Sequence, residues 1–152
     1  MSKGIRLTVA AVAERDGRFL CVEERIGGML RINQPAGHLE PGESLLEGVI
    51  RETLEETAHE FTPHDLLGIY RWQHPDNGLT YVRVAFIGTV GDPRPHLHLD
   101  MGIERVLWMT LDELRACRAR HRSPLVMRCV EDFAAGTRYP LDLLRDIDAP
   151  AP

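Results

Sequence analysis

Hydrophobic positions along the chain change period several times, and each change marks an element. Residues 5–13 and 19–23 are β-rich runs separated by Arg15-Asp16-Gly17-Arg18. Gly17 reaches positive φ at little cost, so the pair reads as a hairpin. The next stretch, through Gly27 and Gly28 to Asn33-Gln34-Pro35-Ala36-Gly37-His38, carries no clean period and reads as irregular, with a further turn at Pro41-Gly42. Over 44–58 Leu46, Ile50 and Leu54 recur at helical spacing, and Ser44 with Glu47 three residues on supplies an N-cap, which predicts a helix. Thr62-Pro63 interrupts the pattern; residues 67–73 and 80–90 then predict a second hairpin around Pro75-Asp76-Asn77-Gly78. A loop over 91–102, a short strand over 105–109 and amphipathic helices over 111–120 and 124–135 complete the chain. This order describes an α/β (α+β) chain in which helices pack against a mixed sheet.

The 152 residues fit one domain, and a chain of that length buries on the order of 70% of its unfolded surface without needing a metal or disulfide staple. Nothing repeats, so a single domain over 1–152 is expected, with a loose tail over about 146–152. With 18 Lys+Arg against 23 Asp+Glu, the net charge of -5 argues against a nucleic-acid or anionic-membrane partner. Any phosphate bound here is expected to arrive with a cation. Cys21, Cys117 and Cys129 are odd in number and widely spaced, which favours free thiols in a reducing, cytoplasmic setting. Lys3, Arg6 and Ala11-Val12-Ala13 faintly resemble a signal peptide, but the segment reads better as a strand entering the Asp16-Gly17 turn. No run of roughly 18 apolar residues predicts a membrane span.

On a helix over 44–58, Glu52, Glu55 and Glu56 fall within an arc of roughly 100°, with Leu46, Ile50, Thr53 and Leu54 on the other side. Clustered like charges repel, and a hard divalent ion such as Mg²⁺ or Mn²⁺ relieves them while bridging to phosphates. The plainer alternative is a solvated acidic face, with Arg51 pairing with Glu47 and reaching Glu55. The preceding loop tips the balance towards a metal site. Gly37 allows close backbone approach, so its carbonyl can join the carboxylates, and Glu43 at the helix entrance can receive Arg51.

Residues 37–59, GHLEPGESLLEGVIRETLEETAH, resemble the Nudix box, G-x5-E-x7-R-E-U-x-E-E-x-G-U with U a bulky apolar residue. Gly37, Glu43, Arg51, Glu52, Glu55 and Glu56 stand at the required spacings; Thr53, Ala58 and His59 depart from the pattern. The resemblance implies an α/β/α sandwich and a Mg²⁺- or Mn²⁺-dependent pyrophosphohydrolase. It further implies that Glu55, Glu56 and the Gly37 carbonyl bind metal, that Glu52 binds metal or acts as general base, and that Glu43 and Arg51 form an orienting pair. Glu104, just before Val106-Leu107-Trp108, is a second candidate carboxylate. Val22-Glu23-Glu24, residues 33–40, Arg122-Ser123-Pro124-Leu125-Val126 and Arg138-Tyr139-Pro140-Leu141 resemble the phosphatase NudJ subgroup of that family. That likeness implies nucleoside tri- and diphosphates, hydroxymethylpyrimidine pyrophosphate and thiamine pyrophosphate as substrates. Other specificities within the family (dinucleoside polyphosphates, sugar nucleotides, RNA caps) and a non-catalytic nucleotide-binding module stand as alternatives.

Trp72, His74, Tyr81 and Trp108 can stack on a pyrimidine ring, although a tryptophan is more often a core or rim residue. Arg25, Arg31 and Arg71 can pair with phosphate, against the usual reading of surface charge. His96 and His98 alternate as metal-binding strand neighbours would, but Pro93 and Pro95 favour a solvated loop. Whether the protein is a monomer or a homodimer is left open by the sequence.

Overall fold

A computed structural model describes residues 3–147. Strands β1 (Ile5–Arg15) and β2 (Arg18–Ile26) are joined by Asp16 and Gly17, with φ of 52° and 78°. Positive φ at both central residues gives a turn whose twist matches the strands. The same device recurs at Gly27 and Gly28, with φ of 56° and 81°, and brings β3 (Met29–Asn33) back along β2, Ile26 opposite Met29. The stretch expected to be irregular is therefore a second hairpin, because paired glycines serve as its turn instead of interrupting it. The short β4 (Ala36–His38) pairs with β1, setting Gly37 opposite Val9.

Beyond helix α1 (Leu45–Thr57), β5 (Phe61–Gln73) and β6 (Thr80–Val90) form an antiparallel pair, and β6 runs parallel to β1. Thr62-Pro63 does not end the pattern as expected. The chain passes Pro63 as strand, with register shifts between Pro63 and Asp65 and between Leu66 and Gly68. A strand at the end of the sheet path tolerates the missing amide donor. β7 (Ile103–Thr110) pairs with β2. The helix expected over 111–120 divides into α2 (Leu111–Ala116), entered through a Thr110/Glu113 capping box, and a 3-10 turn at Arg118–Arg120. α3 spans Leu125–Ala134.

β1, β2 and β6 carry buried residues on both faces because both faces are covered. Val9, Ala11 and Ala13 of β1, with Val84 and Phe86 of β6, pack with Val49 of α1. Their neighbours Ala10, Val12, Ala85 and Ile87 pack with Leu114 of α2 and Met127, Cys129 and Val130 of α3. The result is the expected α+β sandwich, a mixed sheet between helices. No helix among the described residues is long and apolar enough to cross a membrane. Of the expected tail, residues 148–152 lie outside the described residues.

Candidate active site

α1 begins where Ser44 Oγ accepts the Glu47 amide at 3.1 Å, and ends at Ala58, whose N–H donates to the Leu54 carbonyl at 2.9 Å. Ala58 holds φ 59° in the left-handed region, where the box places a glycine. The phase of the helix differs from the expected one. Gly48, Val49, Thr53, Glu56 and Thr57 are the buried residues, whereas Ile50 is exposed. Thr53 and Thr57 enter the core because their hydroxyls donate to the carbonyls four residues back, at 2.7 and 2.6 Å.

The three glutamates consequently do not share one solvent-facing surface. Glu56 turns inward and accepts the Ala36 amide at 2.8 Å. Burial pushes its carboxyl up to about 9, helped by the charges of Glu24, Glu52 and Asp100 and opposed by the Ala36 bond. Glu52 is also raised, chiefly by burial, with Arg51 opposing. Glu52 and Glu55 instead gather with Asp100, offering carboxylate oxygens within 4.8 Å of one another. The Asp100 amide donates to the Glu55 carbonyl at 3.0 Å, which ties the 91–102 loop to the helix. Asp100 is a candidate ligand that sequence reasoning missed, since nothing local distinguishes it within a loop. Gly37 packs so close that an added Cβ would stand 2.2 Å from the Glu52 carboxyl carbon and 2.3 Å from its oxygens.

Arg51 holds this assembly together. Its Nε and Nη2 grip the two Glu43 oxygens at 2.9 and 2.6 Å, while Nη1 donates to Glu52 at 2.9 Å and Glu55 at 3.1 Å. Nη2 also reaches the His38 carbonyl at 3.1 Å, linking helix to loop. Arg51 therefore pairs with Glu43 rather than with Glu47. The guanidinium holds Glu43 below the usual carboxylate range, and Glu43 also receives the Glu40 amide at 2.9 Å. A side chain at Gly48 would crowd Glu43 Oε1 at 3.0 Å and Leu39 at 2.9 Å. An all-oxygen donor set beside a glycine cradle fits a hard divalent ion.

A cleft of about 760 Å³ opens beside this cluster, with Gly37 and His38 in its lining. Trp72 and Tyr81 line it too, stacked at 5.9 Å and 29°, with His74 at 5.1 Å from Trp72. Arg31 also lines the cleft, whereas Arg25 is absent from the lining and pairs with Glu104 at 2.8 Å. Glu104 is not brought into the Glu52–Glu55–Asp100 group. Trp108 packs near His59 and beneath Arg15, away from the cleft lining. His96 and His98 are exposed in the 91–102 loop. The three cysteines are free, and burial pushes the Cys21 thiol up to about 12.

The NUDIX domain model matches residues 4–129. The chain is 35% identical over 147 residues to phosphatase NudJ of Escherichia coli strain K12, covering 95% of this chain and 93% of that protein. The structure superposes on a NUDIX hydrolase from Nitrosomonas europaea with a TM-score of 0.93 at 52% identity, covering 95% of this chain and 99% of the other. A MutT NUDIX hydrolase from Burkholderia pseudomallei shares the fold at a TM-score of 0.71 and 22% identity, over 84% of this chain and 97% of that one. Sequence box, sandwich and relatives agree, and the chain belongs to the Nudix family of hydrolases that act on phosphoric anhydrides of small nucleotides.

Proposed function

We propose that the protein is a Mg²⁺-dependent pyrophosphohydrolase of nucleoside tri- and diphosphates, active also on hydroxymethylpyrimidine or thiamine pyrophosphate. The observation that carries this reading is the convergence of Glu52, Glu55 and Asp100 beside a cleft that carries a stacked aromatic pair. Glu52, Glu55 and Asp100 would hold the ion, joined by the Gly37 carbonyl and by Glu56 once it loses its proton. A bound divalent cation supplies charge neutralisation for the pyrophosphate oxygens and acidifies water.

The chain's own residues do the rest. Glu43 and Arg51 fix loop against helix, so the carboxylates keep one geometry as substrate enters. Glu52 is held against Gly37 and receives Arg51 Nη1 at 2.9 Å, which keeps its carboxylate in place for the ion. Trp72 and Tyr81 offer a platform to a planar ring. The 35% identity to phosphatase NudJ supports hydrolysis of a phosphate compound.

The test is a panel of nucleotides, hydroxymethylpyrimidine pyrophosphate and thiamine pyrophosphate with Mg²⁺ or Mn²⁺, with products identified by mass. Turnover of nucleoside di- and triphosphates is expected, and a panel without any pyrophosphate cleavage would reject the reading.

A further inference from the structure

Two buried side-chain nitrogens lack a hydrogen-bond partner among the described residues, Arg83 Nε and His121 Nδ1. Both residues line the cleft described above, and they are only 4% and 8% exposed. Arg83 lies on β6, opposite Tyr70 of β5 on one side and Thr8 of β1 on the other. Its Nη1 donates to Gln34 Oε1 at 2.8 Å and stands 3.9 Å from Cys129 Sγ; its Nη2 donates to Asn33 Oδ1 at 3.1 Å. Each of these acceptors is neutral, since burial pushes the Cys129 thiol up and keeps it protonated. No ion pair among the described residues includes Arg83.

A buried guanidinium with neutral partners is an unfavourable arrangement for a folded chain unless something else compensates its charge. The surroundings add to the imbalance. Arg31, Arg118 and Arg122 share the lining with Arg83, and Glu24 is the one carboxylate among the lining residues. Arg122 and Glu24 stand 3.7 Å apart, and Arg118 pairs with Glu131 at 3.1 Å. The amide oxygens beside Arg83 are already used, and Gln34 Nε2 is committed to the Val126 carbonyl at 2.7 Å. This part of the cleft is therefore rich in donors and poor in acceptors. A ring carbonyl would satisfy an N–H but leave the charge, whereas an oxyanion answers both.

We infer that Arg83 is the receptor for a second oxyanion of the substrate, a phosphate outside the cleaved anhydride, and so favours triphosphates over diphosphates. This rests on the hydrolase reading above for its substrate class. Arg83 acts in binding and takes no part in the bond-breaking step.

The first arm uses inorganic phosphate as the probe, titrated calorimetrically into the whole protein in EDTA. Arg83→Met should weaken binding by about ten- to a hundred-fold, the scale of a lost hydrogen bond to a charged group, and Arg83→Lys should recover most of it. In the metal-loaded enzyme, Arg83→Met should raise KM for a nucleoside triphosphate by about the same factor and leave kcat on a diphosphate within about three-fold. A purely structural role would instead lower kcat on both substrates together. Because Arg83→Met is a core substitution, the wild-type protein supplies a second reading. The Arg83 Nε–H resonance, assigned by through-bond correlation, should shift as phosphate is added. Unchanged phosphate affinity in a folded Arg83→Met variant, or an unmoved resonance at saturating phosphate, overturns the inference. Normal hydrolysis with an unmoved resonance would reject this inference alone, while a phosphate-shifted Arg83 in a protein inert on every pyrophosphate would reject the hydrolase reading alone.

Discussion

Replacing Glu56 with glutamine separates the electrostatic cost of the buried acid from its packing. The Glu56 carboxyl, ordinarily near 4.5, is pushed up to about 9 by burial. Between those values the folded protein keeps a proton that the unfolded chain releases. The stability linked to this group is thus complete below about pH 4.5 and is lost progressively as pH rises to about 9, at roughly 1.4 kcal/mol per unit. From about pH 6 to about pH 8 the loss is roughly 3 kcal/mol, or roughly 6–12 °C in Tm for a chain of this size. Glutamine keeps the volume and an acceptor for the Ala36 amide, but does not titrate. The difference between wild type and Glu56→Gln cancels the contributions of Glu23 and Glu43, whose lowered values act with the opposite sign at acid pH. Thermal unfolding in EDTA across that range is expected to show a falling wild-type Tm and a flatter variant profile. Saturating Mg²⁺ should flatten the wild type as well. Parallel profiles for the two proteins in EDTA would refute the reasoning.

The other predictions concern close contacts and cleft residues. Gly37→Ala drives a methyl to 2.2 Å from the Glu52 carboxyl carbon, so turnover should fall by about a hundred-fold or more and stability by about 1–3 kcal/mol, read by steady-state kinetics and thermal unfolding. Ala58→Gly relieves a left-handed alanine and should stabilise the fold by about 1 kcal/mol in urea denaturation, with activity unchanged. Trp72→Ala removes half of the stacked pair and should raise KM by about five-fold or more with kcat nearly constant, checked on a nucleoside triphosphate.

Local chemistry made much of the fold legible. Ser44 marked the start of α1, and the Asp16-Gly17 turn marked the first hairpin. What escaped depended on long-range partners. The spacing turned α1 towards Leu46, Ile50, Thr53 and Leu54; Thr53 is buried as expected, whereas Thr57 and Glu56, polar by type, point inward because the Thr57 hydroxyl bonds a carbonyl and Glu56 receives the Ala36 amide. Gly27-Gly28 looked like an interruption because its function as a turn is visible only with β3 laid beside β2. The box spacing announced Glu43, Arg51, Glu52 and Gly37, and these residues do stand together. Asp100 reaches them from a loop with no periodicity, through a backbone bond to Glu55. Arg83 sits in a strand where alternation says only that a side chain faces one layer, and its partners Asn33 and Gln34 lie some fifty residues away along the chain.

The central claim is that the Glu52, Glu55 and Asp100 carboxylates form one cation site beside Gly37 of the cleft lining. Anomalous diffraction from crystals soaked in Mn²⁺ tests it most directly. The account predicts an anomalous peak in coordination distance of oxygens from at least two of these three side chains, lost in Glu55→Gln. Density with the carboxylates apart and no manganese between them, in crystals of protein that binds Mn²⁺ in solution, would contradict it.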